Sequence, residues 1–178
     1  MLRKILIGAV LFSLILTAAA CVGPPSSSTP TSPNPPTSPN PPTSPSGPIK
    51  ATWIEPEVVG DTVSIPVSEV ENNWNIHFKL QAQSGDINFM ASIVDGEIYV
   101  RANACPPCRS VGFSLQNDIL VCDTCRTTFE AETGDGIEGA CVDYPKAPVP
   151  YEITDGNIVM SEADLITAYQ DTLNPGWL

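Results

Sequence analysis

Two Cys-x-x-Cys pairs, Cys105/Cys108 and Cys122/Cys125, stand thirteen residues apart in the stretch ANACPPCRSVGFSLQNDILVCDTCRTTF. No other feature of the chain constrains its fold as much. Two short turns, each presenting two sulfurs, supply the four tetrahedral ligands of a zinc ribbon or a Cys₄ iron site. Such a site can contribute roughly 10–16 kcal/mol to folding. Structural disulfides offer less: about 2 kcal/mol for closing a four-residue loop and about 3 kcal/mol for bridging the pairs. Paired spacing of this kind is a strong metal signal, and Cys105, Cys108, Cys122 and Cys125 are the expected ligands. Pro106 and Pro107 stiffen the first turn, although Pro107 has no N–H to offer a sulfur.

Other sulfur chemistry fits less well. Attachment of c-type haem requires histidine after the second cysteine, where Arg109 and Arg126 stand. A Rieske centre needs two histidine ligands, and the single histidine, His77, falls on the polar side of an alternating stretch, where a surface residue is expected. Any metal is therefore held by sulfur. The CPPC run resembles the redox pair of thioredoxin-like oxidoreductases, which makes a thiol–disulfide protein an alternative. Those proteins set the first thiol at a helix N-terminus, whereas Ser110-Val111-Gly112-Phe113-Ser114 carries no helical pattern. Six cysteines, less four for the site and Cys21, leave Cys141, which is expected beside the site and is a possible further metal ligand. The segment ETGDGIE lacks the ligand spacing of an EF-hand and reads as a glycine-rich hairpin connection.

The surrounding pattern is mainly β. Trp74, Ile76, Phe78 and Leu80 alternate with Asn75, His77, Lys79 and Gln81, the period of a half-buried strand. A second strand carries Ile87, Phe89, Ala91 and Ile93 after the turn Ser84-Gly85-Asp86. A third carries Ile98, Val100 and Ala102 after Asp95-Gly96, completing an antiparallel meander that runs into Cys105. Hairpins follow at GFSL-QND-ILVC and YEIT-DG-NIVM. Only the end reads as helical, with Ser161 as cap, Asp164 in the third-position carboxylate slot, Leu165, Ile166, Tyr169 and Leu173 at helical spacing, and Asn174-Pro175-Gly176 as stop. The expected fold is a small antiparallel β domain, mainly β and ribbon-like at its loops, with a Cys₄ site on those loops and one C-terminal helix.

The N-terminal third points out of the cytoplasm. Arg3 and Lys4, the apolar run Ile5 to Leu16 and the small residues Thr17 to Ala20 form an export signal over residues 1–21. Cys21 follows directly, as in the lipobox of a prokaryotic lipoprotein, and is the expected lipidation site. An uncleaved anchor helix is the alternative. Residues 24–48 contain only Gly, Pro, Ser, Thr and Asn, with Thr-Ser-Pro-Asn-Pro-Pro starting at both Thr31 and Thr37. Such a segment buries nothing and favours extended polyproline II, so residues 22–48 read as a disordered stalk reaching roughly 75 Å. The domain over residues 49–178 carries all twenty acidic residues against six basic ones. That balance argues against nucleic acid and anionic lipid as partners.

The run NIHFKLQAQSGDINFMASIVDGEIYVRANACPPC, followed by ILVCDTCRTTF and GIEGACVDYP, resembles the membrane iron–sulfur domain family called FtrD-like. Cys105, Cys108, Cys122, Cys125 and Cys141 fall on that family's cysteines and Phe129 on its aromatic. The family's Gly-Gly-Cys-Asn-Pro stands here as Gly139-Ala140-Cys141-Val142-Asp143-Tyr144-Pro145. The layout also looks like a Rieske-type β-fold, in which two loops hold a cluster and a third, proline-containing loop covers it. The resemblance implies an iron–sulfur module, most simply [2Fe–2S], serving a ferrous-iron permease or a membrane redox partner. Arg109 and Arg126 are expected to tune its potential by charge near the sulfurs. The alternative is an exported interaction module whose Cys₄ site holds structural zinc. No general base, nucleophile pair or phosphate loop is visible, so an electron carrier or accessory protein is expected rather than a stand-alone enzyme.

Overall fold

Short strands precede the meander: β1 (Ile49–Lys50), β2 (Thr52–Trp53), β3 (Glu57–Val59) and β4 (Thr62–Pro66). A helix, α1 (Val67–Asn73), then leads into the alternating stretch. The computed structural model describes residues 47–82 and 85–176, so the export signal, Cys21, nearly all of the stalk and Ser84 lie outside the described residues. The meander forms as expected from β5 (Asn75–Ala82), β6 (Gly85–Val94) and β7 (Glu97–Ala102). Its second turn is Asp95-Gly96, with φ of 51° and 85°. Positive φ at both central residues gives the primed turn that matches strand twist, and Gly96 adopts it without a Cβ penalty.

The first expected hairpin is β8 (Phe113–Gln116) with β9 (Ile119–Cys122), and β9 continues to β10 (Thr128–Glu130) and β11 (Gly136–Glu138). ETGDGIE thus does connect a hairpin, between β10 and β11. The second expected hairpin is β12 (Glu152–Thr154) with β13 (Asn157–Ser161), and α2 (Glu162–Leu173) closes the domain. The Ser161 hydroxyl accepts from the Asp164 N–H at 3.1 Å and donates to its carboxylate at 2.6 Å, which fixes the helix start. The expectation that only the end is helical fails at α1. Seven residues are too few for a periodic signal, and only Val70 of α1 is buried. Trp74 is not a strand residue either: it ends α1 in the left-handed region at φ 64°.

The described strands form three sheets, ordered β1-β8-β9-β10-β11, β12-β13-β4-β3 and β2-β5-β6-β7. The meander sheet is covered on both faces. Ile76, Phe78, Leu80, Phe89, Ala91 and Val100 pack towards β4, β13 and α2, with Val63, Ile65, Ile158, Met160 and Leu165. On its other face, Met90 and Val94 join Phe113, Leu115, Leu120 and Phe129 of the five-stranded sheet, together with three of the cysteines. The cysteine site therefore grows from a second core, built where the meander meets the loop-bearing sheet.

That second layer corrects two expectations. The strand at Asn75 is not half-buried, because Asn75, Ile76, His77 and Phe78 are all buried. His77 is not a surface residue but 1 % exposed, with its ring edge-on to Trp53 at 5.2 Å between centroids. Neither ring nitrogen has a hydrogen-bond partner among the described residues. Burial pulls its pKa from 6.5 to about 4, with Asp123 pulling back upwards. Below about pH 6.5 the unfolded chain takes up a proton that the folded chain refuses until about pH 4, so stability falls across that window. The loss at pH 4.5 should be about 2–3 kcal/mol. His77→Leu should match the parent near pH 7 and lose that much less on acidification to pH 4.5, as read from urea midpoints. Equal acid sensitivity in parent and variant would remove His77 as the cause.

Candidate metal centre

The two Cys-x-x-Cys turns have the same backbone design. In the first, the Arg109 N–H donates to the Cys105 carbonyl at 2.7 Å and the Cys105 N–H donates to Ser110 at 2.9 Å. In the second, the Arg126 N–H donates to Cys122 at 3.0 Å and the Cys122 N–H donates to Thr127 at 2.9 Å. Each turn is closed by an arginine in the left-handed region, Arg109 at φ 58° and Arg126 at φ 63°. Pro107 does not spoil this geometry, because neither backbone bond needs its missing N–H. Neither first cysteine begins a helix, so the thioredoxin arrangement is absent from both turns. The turns are tied together by Thr124 Oγ1 to Ser110 Oγ at 3.1 Å and by the Asp123 N–H to the Gly112 carbonyl at 2.9 Å.

A third loop, after β11, brings in Cys141. Its N–H donates to Thr127 Oγ1 at 3.2 Å, and the same hydroxyl lies 3.2 Å from Cys125 Sγ. Gly139 makes that approach possible. A Cβ there would sit 2.5 Å from Thr127 Oγ1, and φ of 122° already disfavours a side chain.

Five sulfurs meet as a result. Cys105 lies 3.9 Å from Cys125, Cys108 lies 3.7 Å from Cys122, and Cys125 lies 3.7 Å from Cys141. The sulfurs of Cys105, Cys108, Cys125 and Cys141 are all within 4.8 Å of one another. Cys105, Cys122 and Cys141 are buried, while Cys108 and Cys125 are half-buried and form the outer side. Proton sharing follows from this crowding. Sharing a proton with Cys105 holds Cys122 well below the ordinary thiol range and pushes Cys105 up in turn. Burial pushes Cys108 up to about 11. The donor set suits a thiophilic metal: sulfur only, largely dry, and with no carboxylate or imidazole in the group.

A cation that the sequence does not single out lies beside the site. Arg109 and Arg126 are exposed. Lys146, read from the sequence only as one basic residue among six, is fully buried. Its Nζ donates to the Ala104 carbonyl at 2.8 Å and the Tyr144 carbonyl at 2.6 Å. It also sits 4.2 Å from the Phe129 ring centroid and 5.5 Å from that of Phe113. Burial lowers its pKa to about 8, opposed first by Cys105 and then by Cys122, Cys141 and Cys108. The only signal in the sequence is position: a lysine shortly after the cysteine-bearing third loop.

Fold and site define a small β protein with a loop-borne cluster of cysteine sulfurs. Residues 70–171, more than half of the chain, match the family described as membrane iron-sulfur containing protein FtrD-like, and the chain belongs to that family. Among solved structures, one chain of the complex of reduced oxygenase and oxidized ferredoxin in carbazole 1,9a-dioxygenase aligns at a TM-score of 0.41 and 15 % identity, covering 48 % of this chain and 80 % of its own. Sphingomonas yanoikuyae B1 ferredoxin aligns at 0.39 and 22 % identity, covering 47 % and 83 %. No curated protein matches the sequence. Among the described residues no helix is long and apolar enough to cross a membrane.

Proposed function

We propose that the protein is an extracytoplasmic electron carrier, tethered to the membrane through acylated Cys21 and serving a membrane redox partner or a ferrous-iron permease. The observation that carries this reading is the pair of matched turns. They present Cys105, Cys108, Cys122 and Cys125 as two pairs of cysteine sulfurs, which as thiolates are the donor set of a [2Fe–2S] cluster. When bound, such a cluster supplies one-electron redox chemistry. The protein's part is to hold it, to exclude water on the side of Cys105, Cys122 and Cys141, and to leave Cys108 and Cys125 half-buried as the side facing a partner. The acidic balance of the domain favours a partner with a basic docking face.

One observation favours a second reading, structural zinc. Four sulfurs mutually within 4.8 Å, Cys141 among them, suit a single tetrahedral ion with bonds of about 2.3 Å. Anaerobic reconstitution with iron and sulfide separates the two. The electron carrier should be coloured and bleach reversibly on one-electron reduction, and Cys141→Ser should keep its colour while Cys122→Ser loses it. A colourless zinc protein that needs Cys141 but not Cys122 would overturn the first reading. Mass spectrometry of the native protein should find an acylated Cys21 N-terminus, and an intact Met1 would defeat the lipid anchor.

A further inference from the structure

Lys146 is the one fully buried ammonium among the described residues, and it has no carboxylate partner there, since Lys79–Asp86 at the surface is their one salt bridge. An unpaired buried charge is severely unfavourable. Two carbonyls and two aromatic faces solvate it only in part. Its Nζ is hydrogen-bonded to the residue before Cys105 and lies over Phe113 and Phe129, which pack with Cys105, Cys122 and Cys141. The groups that face it are therefore sulfurs that become thiolates when metal binds. Its backbone is held from two sides, by its own N–H on the Gly134 carbonyl at 2.8 Å and by Arg101 on its carbonyl at 2.8 Å. The chain thus spends considerable structure on keeping one positive charge, dry and fixed, beside a group of cysteine sulfurs.

We propose that Lys146 is the buried counter-charge of the sulfur site and raises its affinity for an electron. This deepens the electron-transfer reading and rests on it. Reduction adds one electron, supplied in the test by a mediator-poised electrode, and therefore one negative charge; no bond or proton changes at Lys146. A fixed positive charge in a low-dielectric site favours the more negative state, so its removal must favour the oxidised one. Lys146 is a positioning residue acting through the field, not a ligand.

The test is redox titration at fixed pH and ionic strength of the reconstituted full chain, as parent, Lys146→Gln, Lys146→Met and Lys146→Arg. Glutamine keeps a donor for the Ala104 and Tyr144 carbonyls, methionine keeps the shape, and arginine keeps the charge. Both neutral variants should be at least about tenfold less reduced at a given potential, a fall of about 59 mV for one electron, with unchanged metal content. Arginine should stay within that limit of the parent. Neutral variants that load metal yet shift less than tenfold would overturn the proposal. Should neither neutral variant load metal, loading by the arginine variant alone supports a charge role, and failure of all three marks Lys146 as a mere anchor of the third loop. A parent without any reversible visible couple defeats the electron-transfer reading by itself. The counter-charge is then read on zinc-loaded protein, where Lys146→Gln should lose zinc to a chelator about tenfold faster, and an equal rate would overturn it.

Discussion

Cys122→Ser should cost several kcal/mol more stability in metal-loaded protein than in protein stripped by a chelator. The reason is that metal binding is folding free energy for a site of this kind, roughly 10–16 kcal/mol for four thiolates. Cys122 is fully buried, 3.7 Å from Cys108 Sγ, and is the first residue of the second turn. Serine there offers a hydroxyl that is a poor ligand for a thiophilic metal, so a bond is lost rather than replaced. The backbone of the turn, from the Cys122 N–H to Thr127 and from the Arg126 N–H back to Cys122, does not depend on sulfur and should survive. Urea midpoints with and without chelator measure both states. Cys105→Ser, equally dry at 1 % exposure, should behave alike. Equal losses in the loaded and stripped forms would mean that the cysteines act as core packing alone.

Much of this arrangement is legible in the sequence, because its signals are local. Asp95-Gly96 and Asp155-Gly156 dictate two-residue turns, and the strands on either side pair in the register those turns impose. Cys-x-x-Cys turns close on their own backbone, so the convergence of four sulfurs needs only the β8–β9 hairpin between them. What stays hidden depends on layers far apart in the chain. His77 and Lys79 alternate like residues bound for water, yet only Lys79 reaches it, because the five-stranded sheet covers the other end of the same strand face. Lys146 carries a polar side chain that no periodicity would place in a core. Its burial depends on carbonyls from Ala104 and Tyr144 and on Phe129, which come together only when the third loop docks. The arginines after each pair illustrate the converse: they follow the cysteines directly in sequence, yet both stay exposed.

Arg101→Leu should destabilise the domain by about 3–5 kcal/mol, the scale for removing a buried charge that satisfies several groups at once. Arg101 lies on β7, opposite Met90 and thus on the face of the second core, and is 4 % exposed. Its Nε donates to the Ala131 carbonyl at 2.8 Å, one terminal nitrogen to Lys146 at 2.8 Å, and the other to Glu132. Leucine restores the apolar volume but leaves these carbonyls without that donor. Lysine restores a charge but, with a single nitrogen, cannot span three acceptors as a planar guanidinium does. The damage should start at the third loop, because Arg101 is what joins the meander to the segment between β10 and Lys146. Hydrogen exchange should therefore show the Lys146 amide, bonded to Gly134 at 2.8 Å, losing protection before the amides of β5 and β6. The effect should be flat between pH 6 and 8, since burial lowers the guanidinium only to about 10, against the pull of Asp135, Tyr99 and Glu132. A loss below about 1 kcal/mol, or protection lost uniformly across the sheets, would show that the loop is held by its own backbone bonds and not by this side chain.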